Sequence, residues 1–342
     1  MAQNTPSEPG RAAGNRHFPP PPPLVSKPKG LWRRTPPAIF PPILGLFGLG
    51  LSWRTLAAQP GMHRFDPMGQ VILGATLLLF TFALLAWLSK PLRRPGVMMQ
   101  EIAVLPGRAG VVAMVLSALL AAAAIRPFAP GMALILVWTG LAALSALGAL
   151  IGVFLLRGPQ EQRAVTPVFH LTYVGYIVAP LSLVPLGYTQ VATVILWGTI
   201  PVAMLIWGLS LRQLVTRTPP APLRPLLAIH LAPAGLFTTV SALLGYSTLA
   251  MAFGILALVI LISLLGSVRW LLAAGFSPMW GAMTFPLAAC ATACLVGLGP
   301  AGLWIGAILL IAATGLIPWI AFQILKAWAK GALAEKTNAA TA

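Results

Sequence analysis

The chain has 342 residues, of which 58% are hydrophobic and only 8% charged, and its mean hydropathy is +0.89. Soluble domains carry about 25% charged residues, so the composition excludes a soluble enzyme or binding module and indicates an all-α polytopic membrane protein. The net charge of +17 would point to nucleic acid in a soluble chain; here the basic residues gather in alternate loops, which is a topology signal and gives no reason to expect a nucleic-acid partner.

Residues 1–34 form a basic, proline-rich arm containing NRHFPPPPPLVSKPKG. It has no apolar h-region, so it reads as a disordered cytoplasmic segment rather than a signal peptide, with an SH3-type ligand as the alternative. Ten apolar runs long enough to span a bilayer follow, at 36–57, 68–89, 108–126, 131–156, 167–186, 189–211, 223–244, 248–272, 278–298 and 302–325. They define a transmembrane domain over 35–330, with 331–342 as a cytoplasmic tail. The connections are short, so the ten helices should pair into five antiparallel hairpins. Nineteen Lys and Arg residues fall on the side of the termini, and only Arg54, Arg64 and Arg126 on the other. That bias places both termini in the cytoplasm; given a bacterial source, the expected location is the inner (plasma) membrane.

Pro180, Pro233 and Pro286 recur at intervals of 53 residues, in IVAPLSL, HLAPAGL and MTFPLAA, each roughly midway through the first run of a hairpin. Pro41 and Pro42 stand early in the first run, in AIFPPILGLFGLG, whereas the hairpin over 108–156 has no proline inside either run. A helical period of this length indicates stacked or radial units. Proline removes a backbone donor and frees the carbonyl four residues earlier, that of Ala282 in the case of Pro286. Hydrocarbon tolerates such a group only where protein or a water-filled cavity faces it. The first helices of the hairpins are therefore expected to be kinked and to line a quasi-five-fold ring around a wet axis, with the second helices outside. Pro201 and Pro318, in two of the outer helices, depart from this pattern. In the 53-residue register Phe285 corresponds to Ala232 and Ala179, so one hairpin offers a bulky ring where two offer small side chains.

The acidic residues are Glu8, Asp66, Glu101, Glu161 and Glu335, all outside the apolar runs. Proton relays and cation pumps keep carboxylates at membrane depth, so their absence there argues against both. No HExxH, GxSxG or Walker pattern occurs, and an enzyme is not expected. Cys290 and Cys294, four residues apart in one run, match neither a zinc nor a redox spacing and read as small packing residues; no metal or cofactor is expected. His170 and His230 lie in expected inner helices, either as titratable pore residues or as neutral rings bonded to a neighbouring helix. Arg108, Arg163, Arg224 and Arg269 precede inner helices, as do Arg33 and Arg34. They either focus a positive potential at the cytoplasmic mouth or only fix the topology.

Three stretches carry a family resemblance: TPPAIFPPILGLFGLGLSWR at 35–54, AIHLAPA at 228–234 and WGAMTFPLAA at 280–289. In this order and at these separations the chain resembles the tellurite-resistance and C4-dicarboxylate transporter family, over residues 36–330. That family includes the bacterial tellurite-resistance protein TehA and the slow anion channels of plant guard cells. The resemblance implies a homotrimer in which each subunit holds its own pore, built by five inner helices within five outer ones. It also implies a phenylalanine plug, at Phe285 here, and passage of small inorganic or organic anions: chloride, nitrate, malate, sulfite or tellurite-type oxyanions. Pro41-Pro42 stands where many relatives have glycine, and Gly281 and Met283 where bulkier aromatics are common, which implies a pore of different width. Two alternatives stay open: a proton-coupled exporter of dicarboxylates or oxyanions, working through His230, and a non-transporting membrane scaffold acting through the arm.

Overall fold

The computed structural model describes residues 30–158 and 163–341; most of the proline-rich arm, and Glu161, lie outside the described residues. Among the described residues every regular element is helical. The chain runs through α1 (Phe40–Ala57), α2 (Asp66–Arg93), α3 (Val97–Ala103), α4 (Leu105–Ile125) and α5 (Pro130–Arg157). It continues through α6 (Pro180–Leu183), α7 (Thr189–Thr216), α8 (Leu231–Leu243), α9 (Ser247–Gly266) and α10 (Val268–Leu271), then α11 (Gly281–Gly297), α12 (Gly299–Ala329) and α13 (Ala332–Lys336).

Nine helices among the described residues are long and apolar enough to cross a membrane, against the ten runs read from the sequence. The exception is the run 167–186. There the backbone is a π-turn over His170–Val174, a 3₁₀ turn over Gly175–Val178 and only then the one-turn helix α6. Pro180 and Pro185, five residues apart, each lack the N–H that a continuous helix would need.

The same physics corrects the expectation of five kinked helices. Pro41 and Pro42 occupy the first turn of α1, Pro180 opens α6, and Pro233 is the third residue of α8. The first turn of a helix has no intrahelical partner for its N–H groups, so proline is tolerated there. A 3₁₀ turn leads into α1, α8 and α11: Pro37–Ile39, Ala221–His230 and Pro278–Trp280. Of these prolines, Pro286 alone lies inside a helix.

Burial separates the spans into two sets. In Pro37–Ala57, Leu105–Ile125, Ala221–Leu243 and Pro278–Gly297, 61–83% of the apolar window is buried; in the helices that alternate with them it is 22–33%. The poorly buried helices turn large apolar side chains outward, among them Leu78, Val194, Ile262 and Ile311. A surface of this kind is stable against lipid, not water. Each outer helix packs on the buried segment preceding it: α2 on α1, α5 on α4, α7 on the 170–183 segment, α9 on α8 and α12 on α11. The buried segments also touch one another in succession, α4 to α1, α1 to α11, α11 to α8, and both α8 and α4 to the 170–178 segment. Aromatic pairs such as Trp138–Tyr188 and Trp197–Tyr246 decorate the outer helices, as expected at a membrane–water boundary.

Both ends of the described chain meet on one face, the terminal face. After α12, Gly331 at φ +76° turns the backbone into α13. Leu333 of α13 is fully buried, and Glu335 accepts a 2.8 Å bond from Arg34 Nη2. Beside this clasp Lys90 Nζ is paired with Glu101 and donates to the Thr35 carbonyl at 2.9 Å, both charged side chains being 0% exposed. Burial pushes the Glu101 carboxyl up, and the Lys90 ammonium and the Ala340 amide pull it back down. Residues 331–341 are thus part of the fold rather than a free tail.

Candidate functional site: two cavities that share Phe285

Two cavities lie among the buried segments. The one toward the terminal face has a volume of about 60 Å³ and takes lining from all five segments, for example Leu44, Ala109, Ile177, Ala232 and Phe285. Its lining is apolar apart from His170. The one toward the far face has a volume of about 710 Å³, and the same five segments supply Gly48, Ala123, Leu181, Thr239 and Thr292. Two residues line both cavities, Phe285 and Leu236, and they are only 7% and 6% exposed. The two spaces therefore adjoin at an apolar partition that includes these two side chains.

Local sequence explains why Phe285 sits there. Gly45 and Gly48 are one turn apart on α1 and face α11. A Cβ on Gly48 would lie 3.0 Å from Phe285 Cδ2 and 3.0 Å from the Ala288 Cβ, and one on Gly45 would collide with Thr284. The absent side chains let α11 approach α1 closely enough to seat the ring. Hydrogen bonds then fix the pair on both sides of it. Thr284 Oγ1 donates to the Pro41 and Gly281 carbonyls at 3.2 and 2.7 Å. Ser52 Oγ lies 3.0 Å from the Ala288 carbonyl and 2.7 Å from Thr292 Oγ1. Pro286 removes the N–H that the Ala282 carbonyl would have met, and Ala282 lines the smaller cavity. The proline pair and the small residue at 281 also meet in space. A Cβ on Gly281 would stand 3.1 Å from Pro42 Cδ and 3.3 Å from Pro41 Cβ, so a larger residue at 281 would press against the proline pair.

The structure brings the two histidines together. His170 Nε2 lies 3.0 Å from His230 Nδ1, with the rings nearly perpendicular at 87°. Trp207 Nε1 donates to the His230 carbonyl at 3.1 Å. The bond needs one ring as donor and the other as acceptor, so a doubly protonated pair would lose it and place two cations in contact. The π-turn that begins at His170 is a backbone form enriched at functional sites. His170 lines the small cavity, and His230 lines a third one, of about 740 Å³, on the terminal face.

The four arginines read as a converging mouth do not share one opening. Arg108 is buried, its Nε bonded to the Ile102 carbonyl at 3.0 Å. Arg224 bonds the Pro219 and Trp270 carbonyls at 3.1 and 3.2 Å and stacks 4.4 Å over the Trp270 ring. Arg269 is exposed. Arg163 does line the third cavity, with Arg212 and Arg217 as its basic neighbours. Carbonyls at the ends of the short helices α3 and α10, and that of Pro219, draw Arg108 and Arg224 aside, because a helix end leaves acceptors without partners.

By charge count alone Arg54 and Arg126 belong only to the far-side minority. Both line the large cavity beside Thr55 and Gln59. The signal available was their rarity: they are two of three basic residues on a face that needs none for topology. Among the described residues no group of three or more His, Cys, Asp or Glu could hold a metal, and Cys290 and Cys294 are buried free thiols.

A comparison with curated proteins returns no match. A comparison with protein-family models matches residues 34–325, which contain every buried span and both cavities, to the voltage-dependent anion channel family. Helices fit to cross a membrane, and a family match across nearly all of them, lead to one conclusion: this chain belongs to the voltage-dependent anion channel family, membrane proteins that pass anions and are not enzymes.

Proposed function

We propose that the chain forms an anion-conducting pore whose path joins the two cavities and is shut at Phe285. The observation that carries this reading is that Phe285, with Leu236, lines both cavities. A narrow apolar constriction excludes water and gates by dewetting. An anion entering it would lose hydration without meeting a countercharge, at a cost of several kcal/mol even after relaxation. A swing from mostly shut to mostly open needs only about 5.5 kcal/mol of bias. Because Thr284 and Ser52 tie α11 to α1 on either side of the ring, the opening movement in this reading is rotation of the Phe285 side chain, not separation of the helices.

In this reading α1, α4, the 170–183 segment, α8 and α11 form the inner ring of a quasi-five-fold assembly, supported by their succession of contacts and their burial. The chain works as a homotrimer in the inner membrane with both termini cytoplasmic. Selectivity for anions follows from two linings without a carboxylate and from the arginines of the far-face cavity, Arg54 and Arg126. The cargo falls among chloride, nitrate, sulfite, tellurite-type oxyanions and dicarboxylates such as malate. The test is anion flux in proteoliposomes: Phe285→Ala should raise chloride and nitrate flux well above wild type, and an unchanged flux would overturn the plug.

The contact between His170 and His230 favours a second reading, proton-coupled export. In that case flux follows a pH gradient, and His230→Gln removes the coupling while leaving the protein folded.

A further inference from the structure

We infer that Arg54 and Arg126 form an oxyanion-binding subsite in the far-face cavity, with a preference for divalent anions. Arg54 Nη1 and Nη2 donate to the Ala123 and Ala124 carbonyls, each at 3.1 Å, and Nη2 to Gln70 Oε1 at 3.3 Å. Ala123 and Ala124 lie in the last turn of α4, and capping their carbonyls together with the Gln70 contact accounts for the two η nitrogens. It does not explain Nε, which is buried and has no hydrogen-bond partner although the residue lines the cavity. Arg126, the residue after α4, repeats the pattern: its Nε is buried and without a partner. A buried donor left unmade costs about 1–3 kcal/mol. Two of them point to a missing acceptor.

The charges say the same. The two guanidiniums lie within electrostatic reach of each other, and the other charged group acting on Arg54 is Asp66. Asp66 stands outside the cavity lining, with Gln70 Nε2 3.5 Å from both of its oxygens. No carboxylate lines the cavity. Two of its threonines are engaged as donors elsewhere, Thr55 to the Leu51 carbonyl and Thr239 to the Gly235 carbonyl, both at 2.9 Å, and Thr292 Oγ1 is paired with Ser52 Oγ at 2.7 Å. The donors left over are the Gln59 amide and the two arginines, and of these lining groups only the arginines carry charge. Guanidinium N–H groups are planar and matched to oxygen acceptors, and a pair of them suits a doubly charged oxyanion better than a halide. A volume of about 710 Å³ leaves room for such an anion with part of its water. In the conduction reading, on which its physiological use rests, the subsite gathers anions at the far side of Phe285.

The experiment measures binding, not flux. Purified full-length protein in detergent is titrated with sodium sulfate, and with sodium chloride at matched ionic strength, following thermal stability. Wild type should show a saturable rise with sulfate that chloride does not reproduce. Arg126→Gln, which removes no described hydrogen bond, should need at least tenfold more sulfate. Arg54→Lys keeps the charge but not the fork and should weaken the response as well. Equal sulfate dependence in wild type and Arg126→Gln, or an equal effect of chloride on wild type, would overturn the subsite. Unchanged flux in Phe285→Ala with intact sulfate binding would instead sink the pore reading alone.

Discussion

The Lys90–Glu101 pair offers a perturbation whose size follows from its surroundings. Both side chains are fully buried, and Lys90 has one further acceptor, the Thr35 carbonyl. Glu101→Gln keeps the shape and removes the charge, leaving a buried ammonium facing neutral oxygens. Breaking a buried pair in this way costs about 3–5 kcal/mol, roughly two to nearly four orders of magnitude in the folding equilibrium. Lys90→Met should cost a similar amount. The double variant Lys90→Met/Glu101→Leu removes both desolvation penalties and should return to within about 1 kcal/mol of wild type. The pH dependence of Lys90→Met has a defined sign. Burial already raises the Glu101 carboxyl, and losing Lys90 raises it further. A carboxyl whose pKa is higher folded than unfolded binds its proton more tightly when folded. Its contribution is complete below the unfolded value and is lost as pH rises through the folded one, so Lys90→Met should gain stability on mild acidification. Denaturation of the four chains in detergent, read by intrinsic fluorescence, measures all of this. Single variants costing under about 1 kcal/mol, as an exposed pair would, or a double variant as unstable as the two singles summed, would refute the reasoning.

Other substitutions probe the seat of the ring and the histidine contact. Gly48→Ala puts a methyl 3.0 Å from both Phe285 and Ala288; it should cost about 1–3 kcal/mol by overpacking and raise basal anion flux, whereas wild-type flux would show that Gly48 does not seat the plug. Thr284→Val loses the bond to the Pro41 carbonyl and should lower thermal stability by about 1 kcal/mol, with no change expected if α1 and α11 are held by packing alone. His170→Gln should flatten the pH dependence of flux, and an unaltered profile would remove the His170–His230 pair from any coupling role.

What the sequence made legible, and what it did not, divides along local and non-local lines. Composition and apolar run length suffice for an all-helical membrane protein, and three short stretches suffice for the family. The way proline acts was not legible from run length. A hydropathy window cannot tell a proline in a first turn, such as Pro41 or Pro233, from one inside a helix, such as Pro286, because the difference lies in which N–H groups need partners. The break-up of 167–186 escaped the same window, although Pro180 and Pro185 were in view. The pairings that build the sites are long-range. His170 meets His230 across 60 positions and Arg34 meets Glu335 across 301, and no spacing rule reaches so far. Arg54 and Arg126 looked like topology residues because a charge count assigns side, not surroundings. Gly281 and Pro41-Pro42 looked like separate departures until the fold placed them in contact.

The central claim is that one aromatic side chain divides a continuous path. It is tested most directly by anion flux through proteoliposomes carrying the series Phe285→Leu, Phe285→Val and Phe285→Ala at matched protein density. Flux should climb stepwise as the side chain shrinks, with cation flux staying at background. A series indistinguishable from wild type, or one that opens equally to potassium, would contradict the account.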